Sequence, residues 1–280
     1  YNNSGTYNNQ WMVLNYNQYT QGQMGEALQD GLLWVAEQIP GNVTAADVTQ
    51  VLRDTSYWAS FNIPYFPNIF NASGFQDLVE QFGDVFSYTK YARPEIFKRN
   101  ESSVTDLITM RAIMRYNNWQ EDPLSVIPNC PYCAPRGSPW LAIASRGDLV
   151  NDSAFVFPKN FSYGSQFMNA ADGSIDAKIA SYRMFQTSAT GNVICGPTSD
   201  QQPVFVYDES YPGQRPPGSA NVFNFPWVYF NVIATSEPTA APVSNTDTKK
   251  VIVGCAVGIP LAVLVVGFAI WKYKKSREVV

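Results

Sequence analysis

The sequence contains no histidine among its 280 residues. A Ser-His-Asp or Cys-His catalytic arrangement therefore cannot be completed within this chain, and zinc sites of the H-E-x-x-H type are excluded. Any hydrolytic chemistry must use another base, or residues that another chain supplies. The first residue is Tyr1 and no signal peptide precedes it, so we expect a fragment or a processed product.

Charge is also scarce, since charged residues make up 15% of the chain and the net charge is -4. No basic stripe occurs before the last residues, so we expect no nucleic-acid partner. Hydrophobic residues make up 45% of the chain and aromatic residues 14%. This composition is sufficient for a substantial core, and it favours a strand-rich domain with long loops over a helical bundle.

The C-terminal region contains an uncharged apolar stretch, residues 251–270, with basic residues on both sides. Its length matches a transmembrane helix, and a buried core helix is the alternative. The heavier basic load follows the stretch, which predicts a cytoplasmic C-terminus. The predicted organisation is an ectodomain at 1–234, a Pro/Ser/Thr stalk at 235–248, a transmembrane helix at 249–271 and a basic tail at 272–280.

Acceptor triplets for N-glycosylation occur only before the stalk. They favour a lumenal or extracellular ectodomain, in a lysosome or endosome or at the cell surface. The triplets begin at Asn2, Asn42, Asn71, Asn100, Asn151 and Asn160.

Apolar periodicity predicts both strands and helices in the ectodomain, hence a mixed α+β class. The predicted strands are Gln10–Tyr19, Gly31–Ile39 and Ser174–Ser181. The predicted helices are Phe75–Phe82 and Ser103–Tyr116, with Ser103 and Asp106 as a capping arrangement. The segment 55–70 contains two prolines and many aromatic residues, and we expect irregular structure or an edge strand there rather than a helix.

Two of the four cysteines, Cys130 and Cys133, form a C-P-Y-C motif. The motif fits a small structural disulfide or a redox pair, and its proline-rich flanks favour the disulfide. Zinc would need two further ligands, and there is no second CxxC or histidine. We expect no metal and no cofactor. Without a histidine to activate it, Cys195 is not expected to be a nucleophile.

An ordered series of short blocks resembles the phospholipase B-like proteins, also called lamina-ancestor homologues, across about residues 1–235. Both the order of the blocks and their spacing match that family. The blocks lie at Asn3–Val13, Glu37–Gly41, Tyr57–Gly74, Phe86–Asn100, Met114–Ser125, Cys130–Cys133, Ser145–Leu149, Gly173–Ile179 and Cys195–Pro203.

The resemblance implies an N-terminal-nucleophile hydrolase fold, an αββα sandwich of which this chain holds a part. In that class autocleavage exposes a cysteine whose own α-amine is the base, and the cysteine is expected upstream of Tyr1. An α-amine has a pKa of about 7.7 to 8.0, which suits a chain without histidine. The family's CxxC pair is a disulfide, which agrees with the structural interpretation of Cys130 and Cys133.

Motif by motif, the resemblance implies that Asn62 is an active-site oxyanion donor and that Arg93 is an active-site arginine. Without the resemblance, the residue types predict that Asn62 is a turn residue in a proline-rich loop and that Arg93 belongs to a surface ion pair. The side chains of Asn9, Gln10 and Trp11 are candidates for lining the substrate pocket, or they only anchor the first strand.

The implied activity is hydrolysis of ester or amide bonds with release of acyl groups from lipids. The implied partners are a lipid substrate, a membrane bound through the C-terminal helix, and the N-terminal portion of the same precursor. The alternative is a catalytically inactive, membrane-anchored glycoprotein that uses the fold for binding. An ordinary Cys or Ser hydrolase is a third hypothesis, which requires a histidine from outside this chain.

Overall fold

A computed structural model describes residues 8–127, 136–150, 169–208, 211 and 214–231. The chain forms two compact units. The first comprises 1–104, 118–143 and 149–169, and the second comprises 105–117, 144–148 and 170–280. Helices and strands occur in both units, which confirms the predicted α+β class.

An antiparallel three-stranded sheet organises the first unit, with strand order β1-β2-β3. The strands are β1 (Asn9–Leu14), β2 (Leu33–Ile39) and β3 (Asn42–Asp47). Gly41 has φ +81°, so the tight turn between β2 and β3 uses the backbone freedom of glycine. The central strand β2 buries alternate residues, Leu33 and Val35, on the core side.

The described part of the first unit also contains four α-helices: α1 (Thr49–Thr55), α2 (Pro67–Ala72), α3 (Phe75–Phe82) and α4 (Ala92–Asn100). The core joins the sheet to α2, because Val35 of β2 and Ile69 of α2 are both almost fully buried in one cluster. Trp58 and Tyr65, on the segment between α1 and α2, pack against this cluster. The core therefore fixes the segment that carries Asn62.

The second unit is built on a second antiparallel sheet and a small strand pair. The sheet has the order β4-β5-β8, with β4 (Asp176–Ile179), β5 (Thr190–Cys195) and β8 (Val228–Asn231). Strands β6 (Phe205–Val206) and β7 (Val222–Phe223) pair with each other, and the helices are α5 (Leu107–Met114) and α6 (Tyr182–Ser188). Short 3₁₀ helices in the two units cover Tyr16–Gln18, Gly25–Ala27, Gly83–Phe86, Glu101–Ser103, Pro139–Leu141 and Gly147–Leu149.

Two buried arginines tie together the loops of the second unit. Arg115 donates to the carbonyls of Gly196 and Pro197 at 2.6 and 3.0 Å. Arg146, 1% exposed, forms a salt bridge with Asp148 and also donates to backbone carbonyls. Buried backbone oxygens are expensive to leave unpaired, so these guanidinium groups replace a regular hydrogen-bond ladder in the loops.

One predicted element is confirmed at its predicted bounds and a second is confirmed with a later start, while others are corrected. Helix α3 covers Phe75–Phe82 as predicted, and β2 lies within the predicted Gly31–Ile39. The first strand ends at Leu14, well before the predicted Tyr19, because a 3₁₀ turn follows. The third predicted strand is observed as the shorter β4, in which Ala177 and Ile179 are buried, whereas Ile175, which lies just before the strand, is 37% exposed.

The largest corrections concern the starts of α2 and α5. The segment predicted to be irregular contains the start of α2, because Pro67 occupies the first helical turn, where no backbone N–H is needed. Helix α5 begins at Leu107 rather than Ser103, because Asp106 and Thr109 form the capping box. Ile108, the second residue of α5, is 73% exposed, so it does not contribute to the buried face of this helix.

Within the ranges that the structure describes, no helix is both long and apolar enough to cross a bilayer. The predicted stalk, membrane span and tail, residues 235–280, lie outside those ranges. So do Cys130, Cys133 and the glycosylation acceptors Asn2, Asn151 and Asn160.

Candidate active site

Asn62 and Arg93, 31 positions apart in the chain, are hydrogen-bonded to each other. Arg93 Nη1 donates to Asn62 Oδ1 at 3.0 Å. Asn62 lies in the loop between α1 and α2, and Arg93 is the second residue of α4. The structure thus brings together the two residues that the family resemblance singled out.

This bond fixes which way the Asn62 amide faces. A guanidinium has only donors, so the amide must present its oxygen to Arg93. The two N–H donors of Asn62 Nδ2 then point away from the arginine. Across the described residues, Nδ2 donates no hydrogen bond to the protein, and the Asn62 side chain is exposed. The arrangement leaves a neutral, oriented donor open to a ligand.

The backbone at Asn62 is in the left-handed region, with φ +63°. Only glycine, asparagine and aspartate adopt this region readily, because other side chains clash with the following carbonyl. The residue type therefore satisfies a backbone requirement and supplies an amide at the same position.

The charge of Arg93 is not neutralised by a carboxylate within the described part of the chain. Its guanidinium carbon lies 5.5 Å from the ring centroid of Tyr91, at cation–π distance. Its Nε is buried and has no hydrogen-bond partner among those residues. The surface ion pair expected from the residue type alone is thus replaced by a bond to an amide, and positive charge remains for an anionic group.

Aromatic side chains hold residues 57–66, here called the Asn62 loop, against α4. Phe97, one helical turn beyond Arg93, contacts the rings of Tyr57 and Phe61 at centroid distances of 5.1 and 6.1 Å. Residues four apart lie on the same helix face, so Arg93 and Phe97 present one surface to the loop. The position of Asn62 therefore depends on apolar packing as well as on the Arg93 bond.

A buried carboxylate holds the far end of the same loop. Glu37 of β2 is 2% exposed and accepts hydrogen bonds from the backbone N–H groups of Tyr65 at 2.6 Å and Phe66 at 2.8 Å. It also accepts from Gln10 Nε2 at 2.6 Å, across the β1–β2 register in which Gln10 faces Glu37. Gln10 is in this way linked to the Asn62 loop through a single intervening side chain.

The other two pocket candidates have no such link in the described structure. Asn9 is half-buried in β1, and Trp11 is 55% exposed opposite Ala36. Cys195 ends β5 in the second unit, where it pairs with Asp176.

The remaining glycosylation acceptors that are described lie in regular elements. They are Asn42 in β3, Asn71 in α2 and Asn100 at the end of α4. A separate open cavity of about 390 Å³ is formed by segments 119–123, 126 and 136–137 and includes neither Asn62 nor Arg93. In the described ranges, no three His, Cys, Asp or Glu side chains come close enough together to hold a metal ion.

Sequence reasoning missed two residues around this site, Glu37 and Tyr88. Tyr88 Oη donates to the carbonyl of Ala59 at 2.8 Å. The sequence signal for Glu37 was a carboxylate within a largely apolar predicted strand, G-L-L-W-V-A-E-Q-I. No sequence pattern indicated the role of Tyr88, because the carbonyl that it binds is 29 residues away in a loop without periodicity.

Comparison with known proteins places most of the chain in one family. The family model described as Phospholipase B matches residues 1–230. A protein of Rattus norvegicus, provisionally named phospholipase B-like 2, is 44% identical over 209 residues, which cover 74% of this chain and 34% of the rat protein. Phospholipase B-like protein B of Dictyostelium discoideum is 40% identical over 239 residues, which cover 83% of this chain and 36% of that protein.

A third relative extends the match. Phospholipase B-like protein C of Dictyostelium discoideum is 38% identical over 252 residues, which cover 87% of this chain and 40% of the relative. The chain therefore spans between about a third and two fifths of the length of these relatives.

Proposed function

This chain belongs to the phospholipase B family, and from that premise we propose that Asn62 and Arg93 form one wall of the active site of a lipid-acyl hydrolase. The observation that carries the proposal is the hydrogen bond between Arg93 and Asn62. It joins two residues that are remote in sequence and that the family resemblance identifies separately. An exposed amide oriented by an otherwise unneutralised arginine is suited to binding developing negative charge.

In the proposed reaction, the nucleophile is a cysteine that autocleavage exposes as the first residue of another part of the precursor. Its α-amine takes the thiol proton, and the thiolate attacks the carbonyl carbon of an ester or amide bond. The proton then passes to the leaving alcohol or amine, which departs and leaves a thioester. Water hydrolyses the thioester, releasing the acyl group and restoring the thiol. This cycle needs no histidine.

Asn62 is proposed to stabilise the tetrahedral intermediate. Its Nδ2 donors face away from Arg93, so they are available to the carbonyl oxygen as it becomes negative. Because the amide is already oriented by Arg93, it needs no rearrangement during the reaction. Removal of one such donor typically lowers turnover by about 10²- to 10³-fold.

Arg93 is proposed to act in two ways at this wall. It orients the Asn62 amide through its Nη1 bond, and it supplies positive charge to the thiolate or to an anionic part of the lipid. Lysine cannot replace it fully, because an ammonium group does not have the planar fork of N–H donors that lets one group serve two acceptors.

The fold that we propose for the complete protein is the αββα sandwich of N-terminal-nucleophile hydrolases. The presence of two antiparallel three-stranded sheets with flanking helices supports it. The remaining strands and the nucleophile come, in this proposal, from the rest of the precursor, since the relatives are much longer than this chain.

The experiment uses the complete open reading frame that contains this chain, expressed and processed. Fatty-acid release from phospholipid vesicles is measured before and after replacement of the candidate cysteine by alanine. Asn62→Ala should lower kcat by about 10²- to 10³-fold. Asn68→Ala is the matched control, because Asn68 is a second exposed asparagine nearby in sequence, on α2, and its amide donates to Thr44.

Two outcomes would overturn the proposal. An unchanged rate in Asn62→Ala would remove Asn62 from the site. The absence of a processed cysteine in the reading frame would leave the inactive binding glycoprotein as the better hypothesis.

We also propose that the ectodomain is lumenal or extracellular, glycosylated, closed by a Cys130–Cys133 disulfide and tethered through residues 249–271. The supporting features are the acceptor triplets and the apolar stretch between basic residues. Glycosidase treatment should increase the protein's mobility on a gel, and alkaline carbonate should leave the protein in the membrane pellet. Release into the supernatant would refute the tether.

A further inference from the structure

The Asn62 loop is hydrogen-bonded on both sides of Asn62. On the N-terminal side, Tyr88 Oη donates to Ala59 O at 2.8 Å. On the C-terminal side, the Glu37 carboxylate accepts from the N–H groups of Tyr65 and Phe66. Asn62 lies midway between these attachments, where the backbone turns through the left-handed region.

The Glu37 attachment is the stronger of the two. The carboxylate is 2% exposed and, within the described structure, has no cationic partner, so its charge is compensated by N–H donors alone. A shift of the loop would take donors away from a buried charge, which is costly. Glu37 therefore holds the loop at a defined position relative to β2.

The Tyr88 attachment adds a second fixed point. Its ring makes edge contacts with Phe61 at 6.3 Å and with Tyr65 at 5.3 Å, so it lies against both arms of the loop. Burial, together with the charge of Glu37, raises the pKa of Tyr88 above its ordinary value. The hydroxyl therefore stays protonated and remains a donor to the loop carbonyl at all physiological pH values.

We propose that Glu37 and Tyr88 are positioning residues that hold the Asn62 amide at the place where the oxyanion forms. This inference rests on the proposed function, since it gives the two attachments a catalytic purpose. Neither residue touches substrate; both act through the backbone of the Asn62 loop. Misplacement of a catalytic donor by about 1 Å can cost about 10²-fold in rate, so a small shift of the loop is enough to matter.

The test uses two conservative variants of the complete protein. Glu37→Gln keeps the size of the side chain but has one oxygen, so at least one of its donors meets an NH₂ group. Tyr88→Phe keeps the ring and removes only the hydroxyl. The matched control is Asp47→Asn, because Asp47 of β3 also accepts two backbone N–H groups, from Gly31 and Thr49, outside the loop.

The first measurement is hydrogen exchange of the peptide covering residues 57–66. Protection there should fall in Glu37→Gln and, to a smaller extent, in Tyr88→Phe. It should be unchanged in Asp47→Asn, whose losses of protection should appear at Gly31 and Thr49. Unaltered exchange of the loop in Glu37→Gln would refute the positioning role, whether or not the protein has hydrolase activity.

The second measurement is a double-mutant cycle in acyl hydrolysis. Glu37→Gln should lower kcat by about 10- to 100-fold with little change in KM, and Tyr88→Phe by about tenfold or less. In an Asn62→Asp background, both losses should nearly disappear, because the group being positioned is already gone. If Glu37→Gln instead lowered activity by reducing the folded fraction, its fold-loss would be the same in the Asn62→Asp background. The two fold-losses would then multiply.

The failures can be told apart. Full activity in Asn62→Asp would refute the proposed function, and the exchange measurement would still decide whether Glu37 holds the loop. A large loss in Asn62→Asp together with normal activity in Glu37→Gln would refute only the positioning role.

Discussion

Replacement of Asn62 by aspartate separates catalysis from folding at the candidate site. Aspartate has the size of asparagine and also tolerates a φ of +63°, so the backbone requirement is still met. Alanine meets that requirement poorly, at a cost of about 1 to 2 kcal/mol for an L-residue in the left-handed region. The aspartate variant therefore changes chemistry with little strain.

Two opposite effects are expected from this single change. The Nδ2 donors are lost and a negative charge faces the developing oxyanion, so kcat should fall by at least about 10²- to 10³-fold, or about 2.7 to 4 kcal/mol of transition-state stabilisation. At the same time the carboxylate can pair with Arg93, whose distance to the Asn62 oxygen is 3.0 Å. An exposed pair of this kind contributes about 0 to 1 kcal/mol, so folding stability should stay equal or rise slightly.

The assay compares acyl release and thermal unfolding of the purified complete protein, with and without the substitution. Activity should fall steeply while Tm stays the same or rises by a few degrees. Activity within about threefold of the unsubstituted protein would refute the oxyanion role of Asn62. A large drop in Tm would refute the claim that the two side chains are linked as described.

Three further predictions concern the second unit. Arg146→Met should lower the free energy of unfolding by about 3 to 5 kcal/mol in urea denaturation, because it leaves the Asp148 carboxylate without its buried cation. Burial, helped by the Asp148 charge, raises the pKa of Asp172. The protonated Asp172 carboxyl is therefore compatible with the fold at low pH, and this contribution to stability is lost as the pH rises through the raised folded pKa. Asp172→Asn should accordingly gain stability over the natural protein as the pH rises above the ordinary aspartate pKa of about 4. Equal pH profiles would refute this assignment. Gly191→Ala should destabilise β5, because the added Cβ would lie 2.6 Å from the ring of Phe230, and an unchanged Tm would contradict that packing.

The sequence predicted those elements whose pattern is local. The apolar spacing in Phe75–Phe82 and the buried alternation in Leu33–Ile39 are complete within the segments themselves, and both elements are observed. Helix α2 was missed because the two prolines of segment 55–70 argued against a helix, although Pro67 occupies its first turn, where proline is tolerated. A rule that counts every proline against a helix fails here, because the effect of proline depends on its position in the helix.

The candidate site was predictable only in part. Asn62 and Arg93 came from resemblance to a family, since their residue types alone favoured a turn and a surface ion pair. Their mutual bond depends on packing between the Asn62 loop and α4, which no local pattern encodes. Glu37 is 28 and 29 residues from the amides that it holds, so only the folded chain reveals its role.

The most direct test of the account is a structure of the complete, processed protein with an acyl group or a tetrahedral mimic trapped on its nucleophile. The account predicts Asn62 Nδ2 at about 2.7 to 3.1 Å from the former carbonyl oxygen, with Arg93 still bonded to Asn62 Oδ1. An oxyanion held by other donors, with Asn62 more than about 5 Å away and beyond hydrogen-bond reach, would contradict it.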